Sequence, residues 1–497
     1  MLKLLIVEFC QEAYYPMLFN SMAFLIFLPI VFLLYWALPH KYRWILILVA
    51  SYYFNMRWHA KYFVLILFTT FASYLAALLI EKTQNKPQQK IILTATLLIC
   101  FGILFFFKYF NFASNSVTNF LNIFALELHP ITLNLILPVG ISFYTFQTLS
   151  YVIDVYRGET KAEHHFGIYA AFISFFPQLV AGPIERSSNL LPQIKKEHHF
   201  NYDKSVYGMK IMLWGYFKKI VVADLLASYV DAAFGPQKAQ TGFMWILAIL
   251  FFTIQIYCDF SGYSDIAIGT AKLLDIDLMT NFKSPYFSSS IKEFWSRWHI
   301  SLSTWFRDYV YIPLGGNRCS KTRRSFNLLV TFLVSGLWHG ANWTYVIWGA
   351  IHGLAQIIEN HLHKLGKAFR STKPGALLAT IVVFVFCNIS WVFFRAESLT
   401  DATFILTHML TGIRSLRTYI DLGLVHLGLN DPARLCYIGF LIVILGLYDY
   451  FNKEKDVIVL ISKKHLILQW IFYIGLGLMV LFFAQKGVAA EFVYFQF

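Results

Sequence analysis

The sequence is poor in charged residues. Aspartate, glutamate, lysine and arginine make up 14% of its 497 residues, whereas soluble domains carry about 25%. Hydrophobic residues make up 58%, and the mean hydropathy is +0.57. Because this deficit extends over the whole length, it excludes an ordinary soluble protein and indicates one that crosses a membrane several times.

Cysteine patterns, internal repeats and common catalytic motifs are also missing. The six cysteines are scattered without a CxxC pair, which argues against a disulfide framework and against a catalytic thiol. The sequence contains no HExxH, P-loop, dinucleotide fingerprint or Gly-x-Ser-x-Gly. The histidine pairs at 164–165 and 198–199 are poorly spaced to share one ion, so we expect no metal.

Apolar windows are abundant. A bilayer requires about 20 predominantly apolar residues per helical crossing. Windows of this kind lie at 22–39, 43–56, 61–80, 90–110, 132–153, 167–182, 206–224, 241–258, 326–341, 343–360, 376–394, 433–450 and 466–485. The window 167–182 is short, and we interpret it as a re-entrant segment.

The net charge is +14, from 41 basic and 27 acidic residues. In a membrane protein such an excess lies in the loops and sets the orientation of the chain in the bilayer. Because this explains the positive charge, we expect no nucleic-acid partner. If the basic loop 81–90 is cytoplasmic, counting crossings back places the N-terminus outside. Residues 1–16 lack the basic region and the cleavage site of a signal peptide. Because Met17 reads as a natural start, they are either an N-terminal extension or the product of a misassigned start.

Polar groups recur at helical spacing from Ser142 to Asp154, among them Tyr144, Gln147 and Ser150. Such groups in an apolar span either bond to a neighbouring helix or line a polar tunnel. Both interpretations are open, and Gln147 is predicted to be a supporting or tunnel-lining residue.

Two carboxylates, Asp259 and Asp265, lie in the apolar stretch 257–269. At six residues apart on a helix they point to different faces, which argues against a shared acid–base pair. Ser261 and Gly262 between them favour a broken helix that lines a cavity, with the aspartates as supporting residues.

The stretch 284–318 is too polar to cross a membrane. Read at 3.6 residues per turn, it has an apolar stripe (Trp295, Trp298, Leu302, Trp305, Tyr309) and a polar stripe (Lys292, Ser296, His299, Ser303, Arg307). This pattern predicts one amphipathic helix at the membrane interface. His299 is either a surface residue or points into a reaction chamber, with Trp298 and Arg307 as supporting residues.

The stretch 333–353 looks like a membrane helix, yet it contains His339 and His352. Its Gly-x-x-x-Gly spacings predict close helix packing. An imidazole at this depth must be hydrogen-bonded or neutral, and a neutral ring can accept a proton. On a straight helix the two rings lie about 220° apart, so a direct pair needs a break, which the segment HGAN can supply. Trp338, Asn342 and His352 are predicted to support His339.

Several long strings carry a family resemblance. They are MLFNS at 17–21, LPVGISFYTFQTLSYVIDVYRG at 137–158, FFPQLVAGPIERSSNLLPQ at 175–193, YCDFSGYSDIAIGTAKLLDI at 257–276, FWSRWHISLSTWFRDYVYIPLGGNR at 294–318, LWHGANWTYVIWGAIHG at 337–353 and the ending FVYFQF. Together they resemble the membrane-bound O-acyltransferase (MBOAT) family, and within it the bacterial alginate O-acetyltransferase branch, over nearly the whole chain from Met17.

The resemblance implies an all-α polytopic membrane protein, with about 11–13 transmembrane or re-entrant helices around a central tunnel. It implies one domain over 17–497, with an active-site core at 137–353 and C-terminal helices at 376–497. In this family the histidine of Leu-Trp-His-Gly is essential, which corresponds to His339. A second polar residue about 40 positions upstream faces it across the tunnel, which corresponds to His299.

The function implied by the resemblance is O-acyl transfer in the bacterial cytoplasmic (inner) membrane. The donor would be a cytoplasmic thioester, most simply acetyl-CoA, with no bound cofactor. The acceptor would be an exported or cell-surface polysaccharide, or an extracytoplasmic SGNH-type acetyltransferase that completes the transfer. The alternatives are peptidoglycan O-acetylation, D-alanyl transfer from a carrier protein to teichoic acid, and an acyl-group transporter that makes no bond.

Overall fold

The computed structural model describes residues 16–179, 182–235, 242–484 and 492–493. Within these ranges the chain is helical and forms no β-strand, so the all-α prediction is confirmed. The predicted extension 1–16 lies outside the described residues except for Pro16.

Most helices follow one another with short connections, and the connections 123–140 and 274–290 are longer. In chain order they are α1 (Met22–Ala37), α2 (His40–His59), α3 (Phe63–Lys82), α4 (Lys86–Leu104), α5 (Phe110–Asn122), α6 (Ile141–Arg157), α7 (Phe166–Ser174), α8 (Phe176–Leu179), α9 (Ser187–Lys195), α10 (Tyr202–Tyr216), α11 (Asp224–Phe234), α12 (Gly242–Leu273), α13 (Ile291–Arg297), α14 (Ile300–Phe306), α15 (Lys321–His339), α16 (Trp343–His361), α17 (His363–Arg370), α18 (Lys373–Arg395), α19 (Leu399–His408), α20 (Leu416–His426), α21 (Pro432–Asn452), α22 (Val457–Ser462) and α23 (Leu466–Phe483).

The chain folds into two compact units. The first holds the residues up to Met212 together with Ser264–Met279. The second holds Leu213–Tyr263, Thr280–Ala484 and residues 492–493. Helices α10 and α12 contribute residues to both units. The predicted single domain over 17–497 stays a prediction.

Among the described residues, six helices are long and apolar enough to cross a membrane. They cover Ala60–Lys82, Lys86–Asn122, Gly242–Leu273, Lys373–Arg395, Pro432–Asn452 and Leu466–Phe483. Apolar side chains on these helices point outward, as Leu481 and Phe482 do, and lipid accommodates such a surface where water does not. The chain is a multi-pass membrane protein, and the number of crossings beyond these six stays a prediction.

Polar contacts bring several loops of the first unit to one end, which we call the basic end. Arg43 donates to the carbonyl oxygen of His198 at 2.7 Å, and His164 pairs with Glu81 at 2.9 Å. The basic residues of these loops are Arg43, Lys82, Lys86, Lys90, Arg157, Lys195 and Lys196. Because basic loops tend to stay inside, we expect this end to face the cytoplasm.

Residues 166–179 enter the first unit, and residues 182–186 lie at the basic end. Near the middle of α2, the hydroxyl of Ser51 accepts a hydrogen bond from the Phe176 amide at 3.0 Å. Glu185 then accepts a hydrogen bond from the amide of Met279, in the loop that follows α12. This path agrees with the re-entrant interpretation of 167–182.

Helices α15 and α16 form the hairpin that carries two of the candidate histidines. Helix α15 ends at His339, and α16 begins at Trp343. Asn342 caps α16, because its side-chain oxygen accepts a hydrogen bond from the Thr344 amide at 3.1 Å. The break predicted at HGAN is confirmed.

Glycines let the two helices of this hairpin cross closely. A Cβ atom on Gly336 would lie 2.2 Å from the carbonyl oxygen of Tyr345, and one on Gly349 would lie 2.3 Å from that of Phe332. Neither position has room for a side chain. The predicted packing role of these glycines is confirmed.

The break predicted near Ser261 and Gly262 is wrong, because α12 is continuous over 32 residues. Gly262 serves a close approach instead. A Cβ atom there would lie 2.8 Å from the carbonyl oxygen of Gly215, just before the π-helical turn Phe217–Ala223.

The single amphipathic helix predicted in 284–318 is also interrupted. Helix α13 ends at Arg297, and α14 begins at Ile300. His299 has a positive φ of 43°, which a continuous right-handed helix does not allow. The predicted faces are otherwise present, since Trp295, Trp298, Leu302 and Trp305 are buried while Lys292, Ser296 and Arg307 are exposed.

Candidate active site

His299 occupies a strained and fully buried turn in the second unit. Its left-handed backbone conformation costs a non-glycine residue about 1–2 kcal/mol. Asn281 stabilises the turn with both its backbone and its side chain. Its carbonyl oxygen accepts a hydrogen bond from the Ile300 amide at 3.0 Å, and its side-chain oxygen accepts one from the Ser301 hydroxyl at 2.7 Å. The buried placement excludes the surface interpretation of His299.

His339 is the last residue of α15 and is 4% exposed. Its ring centroid lies 6.4 Å from that of His299. At this separation one oxygen atom can lie within about 3 Å of a nitrogen of each ring. The structure therefore brings together the two residues predicted to be catalytic.

Aromatic rings surround this pair of histidines. Phe260 packs edge-on against His299, with the ring centroids 4.6 Å apart. The rings of Trp338, Trp348 and Phe394 lie 5.0, 5.1 and 5.3 Å from the ring of His339. Such surroundings limit the access of water and strengthen every polar interaction inside them.

His352 has a different environment. The indole N–H of Trp295 donates to its Nδ1 at 3.3 Å, and its Nε2 lies 3.0 Å from the hydroxyl of Ser390. Ser390 donates to the carbonyl oxygen of Cys387, so it accepts from His352. These partners fix one neutral tautomer and fit a supporting role.

A buried ion cluster lies near the pair. Lys219 Nζ lies 2.7 Å from a carboxylate oxygen of Asp259 and 2.8 Å from one of Asp224. The second oxygen of Asp259 accepts a hydrogen bond from the Val493 amide at 2.6 Å. Asp259 thus has structural partners, and Phe260, the next residue, contacts His299. Sequence reasoning missed Lys219 and Asp224, although the lysine pair 218–219 interrupts the apolar window 206–224.

The remaining predicted site residues lie in both units. Gln147 and Asp265 belong to the first unit. Gln147 donates to the carbonyl oxygen of Phe172 at 2.9 Å, which agrees with the helix-bonding interpretation.

The other two polar candidates belong to the second unit. Arg307 is exposed and pairs with Asp308 at 2.7 Å, and Asn342 donates to the carbonyl oxygen of Glu397 while it caps α16. Trp298 packs on Trp391 at 5.0 Å and supports the aromatic wall. The catalytic relevance of these residues stays a prediction.

The arrangement suits proton transfer. Burial lowers the pKa of His299 to about 3, so its ring is neutral at pH 7 and is suited to orient a hydroxyl group by hydrogen bonding rather than to act as a strong base. A general base must lie within hydrogen-bond reach of the proton that it removes, and the ring centroids of His299 and His339, 6.4 Å apart, leave room for a hydroxyl group between them.

Comparison with known families agrees with this geometry. Residues 161–396 match the model of MBOAT, the membrane-bound O-acyltransferase family. The matched range contains both His299 and His339.

Individual relatives extend the similarity. The chain is 43% identical to the probable alginate O-acetylase AlgI of Pseudomonas aeruginosa over 390 residues, which are 78% of this chain and 73% of the relative. It is 37% identical to the peptidoglycan O-acetyltransferase of Helicobacter pylori, over 80% of each chain. It is 30% identical to the teichoic acid D-alanyltransferase of Streptococcus thermophilus, over 45% of this chain and 56% of the relative.

Proposed function

Because the chain belongs to the membrane-bound O-acyltransferase family and is an acyltransferase, we propose that it moves an acetyl group from a cytoplasmic thioester to hydroxyl groups of an exported or cell-surface polysaccharide. Acetyl-CoA is the simplest donor. The observation that carries the proposal is the close approach of His299 and His339 within an aromatic enclosure.

The proposed chemistry is a proton transfer coupled to acyl transfer. A hydroxyl group is a weak nucleophile at neutral pH, and His339 removes its proton as the oxygen attacks the thioester carbonyl. The carbon–sulfur bond then breaks, the acetyl ester forms, and the departing thiolate of CoA takes the proton from His339 and leaves as the thiol. His299 orients the hydroxyl from the opposite side.

The similarity to relatives supports a glycan as the acceptor. The relatives that cover most of this chain are named for acetylation of alginate and of peptidoglycan. The D-alanyltransferases of Streptococcus thermophilus and Bacillus subtilis are 30% and 28% identical over 45% and 53% of this chain, which gives weaker support to that alternative. We place the protein in the bacterial cytoplasmic membrane, beside an extracytoplasmic SGNH-type acetyltransferase that either receives the acetyl group or completes the transfer.

Cells provide the test. A deletion strain is complemented with the wild type or with His339→Ala, and the O-acetyl content of alginate-like glycan and of peptidoglycan is measured by mass spectrometry. We expect wild type to restore acetylation of one glycan and His339→Ala to restore none at equal membrane abundance. Full restoration by His339→Ala would favour the transporter alternative, and D-alanine esters in place of acetyl esters would favour the teichoic acid alternative.

A further inference from the structure

Helix α17 in the second unit is strongly amphipathic and has no part in the chemistry described above. At 100° per residue, Leu365, Phe369 and the preceding Leu362 fall within about 60° of one another around the helix axis. Their side chains are 71%, 48% and 52% exposed. Large apolar side chains in a row on a helix too short to cross a bilayer indicate contact with the apolar edge of the membrane.

The other side of α17 is basic. Lys364 and Lys367 are exposed, and Arg370 lies beside them, with its guanidinium 3.6 Å from a carboxylate oxygen of Glu359. From residue 361 to residue 373 the chain contains four lysines and arginines and no aspartate or glutamate. A short helix with lysines on one side and leucine and phenylalanine on the other is typical of segments that lie in the membrane interface.

The position of α17 along the chain agrees with this interpretation. Two residues separate it from α18, which is one of the helices long and apolar enough to cross a membrane. Lys373, the first residue of α18, is exposed. The helix is therefore held at the level where a crossing begins. Four or more basic residues directly beside a crossing, on the cytoplasmic side, are the pattern that binds anionic lipid headgroups.

The hairpin of α15 and α16 determines which other residues share this end of the second unit. Gly336 lies against Tyr345, and Gly353 lies against Leu329. Residues early in α15 thus lie beside residues late in α16, and the two helices are antiparallel. The start of α15 is therefore at the same end as α17.

The distribution of basic residues places this end in the cytoplasm. The lysines and arginines near it are Arg318, Lys321, Arg323, Arg324, Lys364, Lys367, Arg370 and Lys373. At the opposite end, Asn342 donates to the carbonyl oxygen of Glu397 at 2.9 Å. There the connections 340–342 and 396–398 contain no lysine or arginine, and Arg395 borders one of them. The positive-inside tendency thus orients α17 towards the cytoplasmic leaflet.

We propose that α17 is an interfacial helix that binds anionic phospholipid headgroups of the cytoplasmic leaflet. Its apolar row lies among the upper parts of the acyl chains, and Lys364, Lys367 and Lys373 contact the headgroup phosphates. Acetyl-CoA also carries phosphates, but a soluble nucleotide would leave the apolar row in water, whereas a lipid satisfies both sides of the helix. The proposal does not depend on the acyl-transfer chemistry.

Hydrogen–deuterium exchange of the peptide 361–373 provides the test. The full chain is placed in nanodiscs of phosphatidylcholine, with or without phosphatidylglycerol. The variant Lys364→Gln/Lys367→Gln removes two charges from α17. The matched control, Arg414→Gln/Arg417→Gln, removes two charges from exposed residues at the start of α20. Melting temperatures confirm that each variant is folded.

We expect phosphatidylglycerol to slow exchange of this peptide in the wild type at least about fivefold, the effect of one basic residue at an anionic surface. The double lysine variant should lose most of this protection, and the arginine control should keep it. High salt should reduce the protection by screening the charges. Equal exchange in the two kinds of nanodisc, or an equal loss in the arginine control, would overturn the proposal.

Two further arms separate the lipid from other occupants. Acetyl-CoA added to phosphatidylcholine nanodiscs should not protect the peptide. Protection equal to that by phosphatidylglycerol would assign the lysines to the donor nucleotide and overturn the lipid site. Leu365→Gln keeps a good helix former but removes an apolar contact, so it should speed exchange in both kinds of nanodisc. Unchanged exchange of Leu365→Gln would overturn the interfacial placement of α17.

Discussion

Three histidines in apolar surroundings differ in their neighbours. His352 has a donor on one nitrogen and an acceptor beside the other, which leaves it little freedom to exchange a proton. His299 and His339 face each other within a wall of aromatic rings. The ring of Trp348 touches both His339 and His352, so it lies between the His299–His339 pair and His352.

The turn at His299 leads to a prediction on two substitutions. His299→Ala removes the ring that orients the hydroxyl and should lower acetyl transfer about tenfold, because the loss of one neutral hydrogen bond costs up to about 1.5 kcal/mol. His299→Asn keeps a polar group and tolerates the left-handed backbone better than most residues, so it should retain more activity than His299→Ala. The measurement is the rate of CoA release by each purified variant in nanodiscs. Equal activity of His299→Ala and wild type would contradict a role at the reacting hydroxyl.

At the scale of elements, the α15–α16 crossing determines where His339 lies. Gly349 sits against the carbonyl oxygen of Phe332 with no room for a methyl group. Gly349→Ala should push the helices apart, lower the melting temperature and reduce activity. Gly446→Ala, in the middle of α21, meets nothing within 4 Å and should be neutral or stabilising by up to about 1 kcal/mol.

Thermal melting and CoA release of the two glycine variants check this prediction. A normal melting temperature and rate for Gly349→Ala would show that the crossing is more tolerant than its geometry indicates.

At the basic end, a second set of polar contacts joins the loop 196–201 and the start of α10 to the loop 274–279. Asp275 accepts from His198 and Lys204, both at 2.7 Å. Burial by itself raises the pKa of Asp275, but these hydrogen bonds outweigh it and hold the pKa below the usual 3.8. A depressed carboxyl pKa stabilises the folded state above pH 3.8, and this contribution is lost as the pH falls through the folded-state value.

The substitution Asp275→Asn tests the pH dependence of these Asp275 contacts. Asparagine also tolerates the positive φ of 62° at this position. Its melting temperature should be lower than that of the wild type near pH 7, and the difference should shrink as the pH falls below 3.8. A difference that stays constant with pH would assign the effect to packing rather than to charge.

The sequence predicted that His299 and His339 lie close together, but it did not predict the continuity of the helices around the site. Periodicity identified both faces of 291–307 but could not show that His299 leaves the helix, because the break is imposed by Asn281, 18 residues earlier. Likewise Ser261 and Gly262 suggested a broken helix, whereas the close approach of Gly215 explains that glycine. The Lys219 cluster depends on contacts between distant segments, which spacing along the chain does not encode.

At the scale of the whole molecule, the proposed transfer from a cytoplasmic donor to an outside acceptor depends on which end of the first unit faces the cytoplasm. Cysteines introduced at Lys86 and at Lys61 report on the two ends. Labelling with a membrane-impermeant maleimide, read by peptide mass spectrometry, should modify Lys61→Cys in intact spheroplasts and Lys86→Cys only after permeabilisation. The reverse pattern would invert the topology and place the basic end outside.

The central claim is that this membrane protein makes and breaks acyl bonds with His339. The most direct measurement is CoA release from acetyl-CoA by the purified protein in nanodiscs, in the presence of glycan acceptor and of any partner acetyltransferase that the reaction needs. His339→Ala is compared with Gly446→Ala, a variant remote from the histidines. We predict that His339→Ala releases no CoA above background while it folds and inserts normally, and that Gly446→Ala matches the wild type. CoA release by His339→Ala at the wild-type rate would contradict the account.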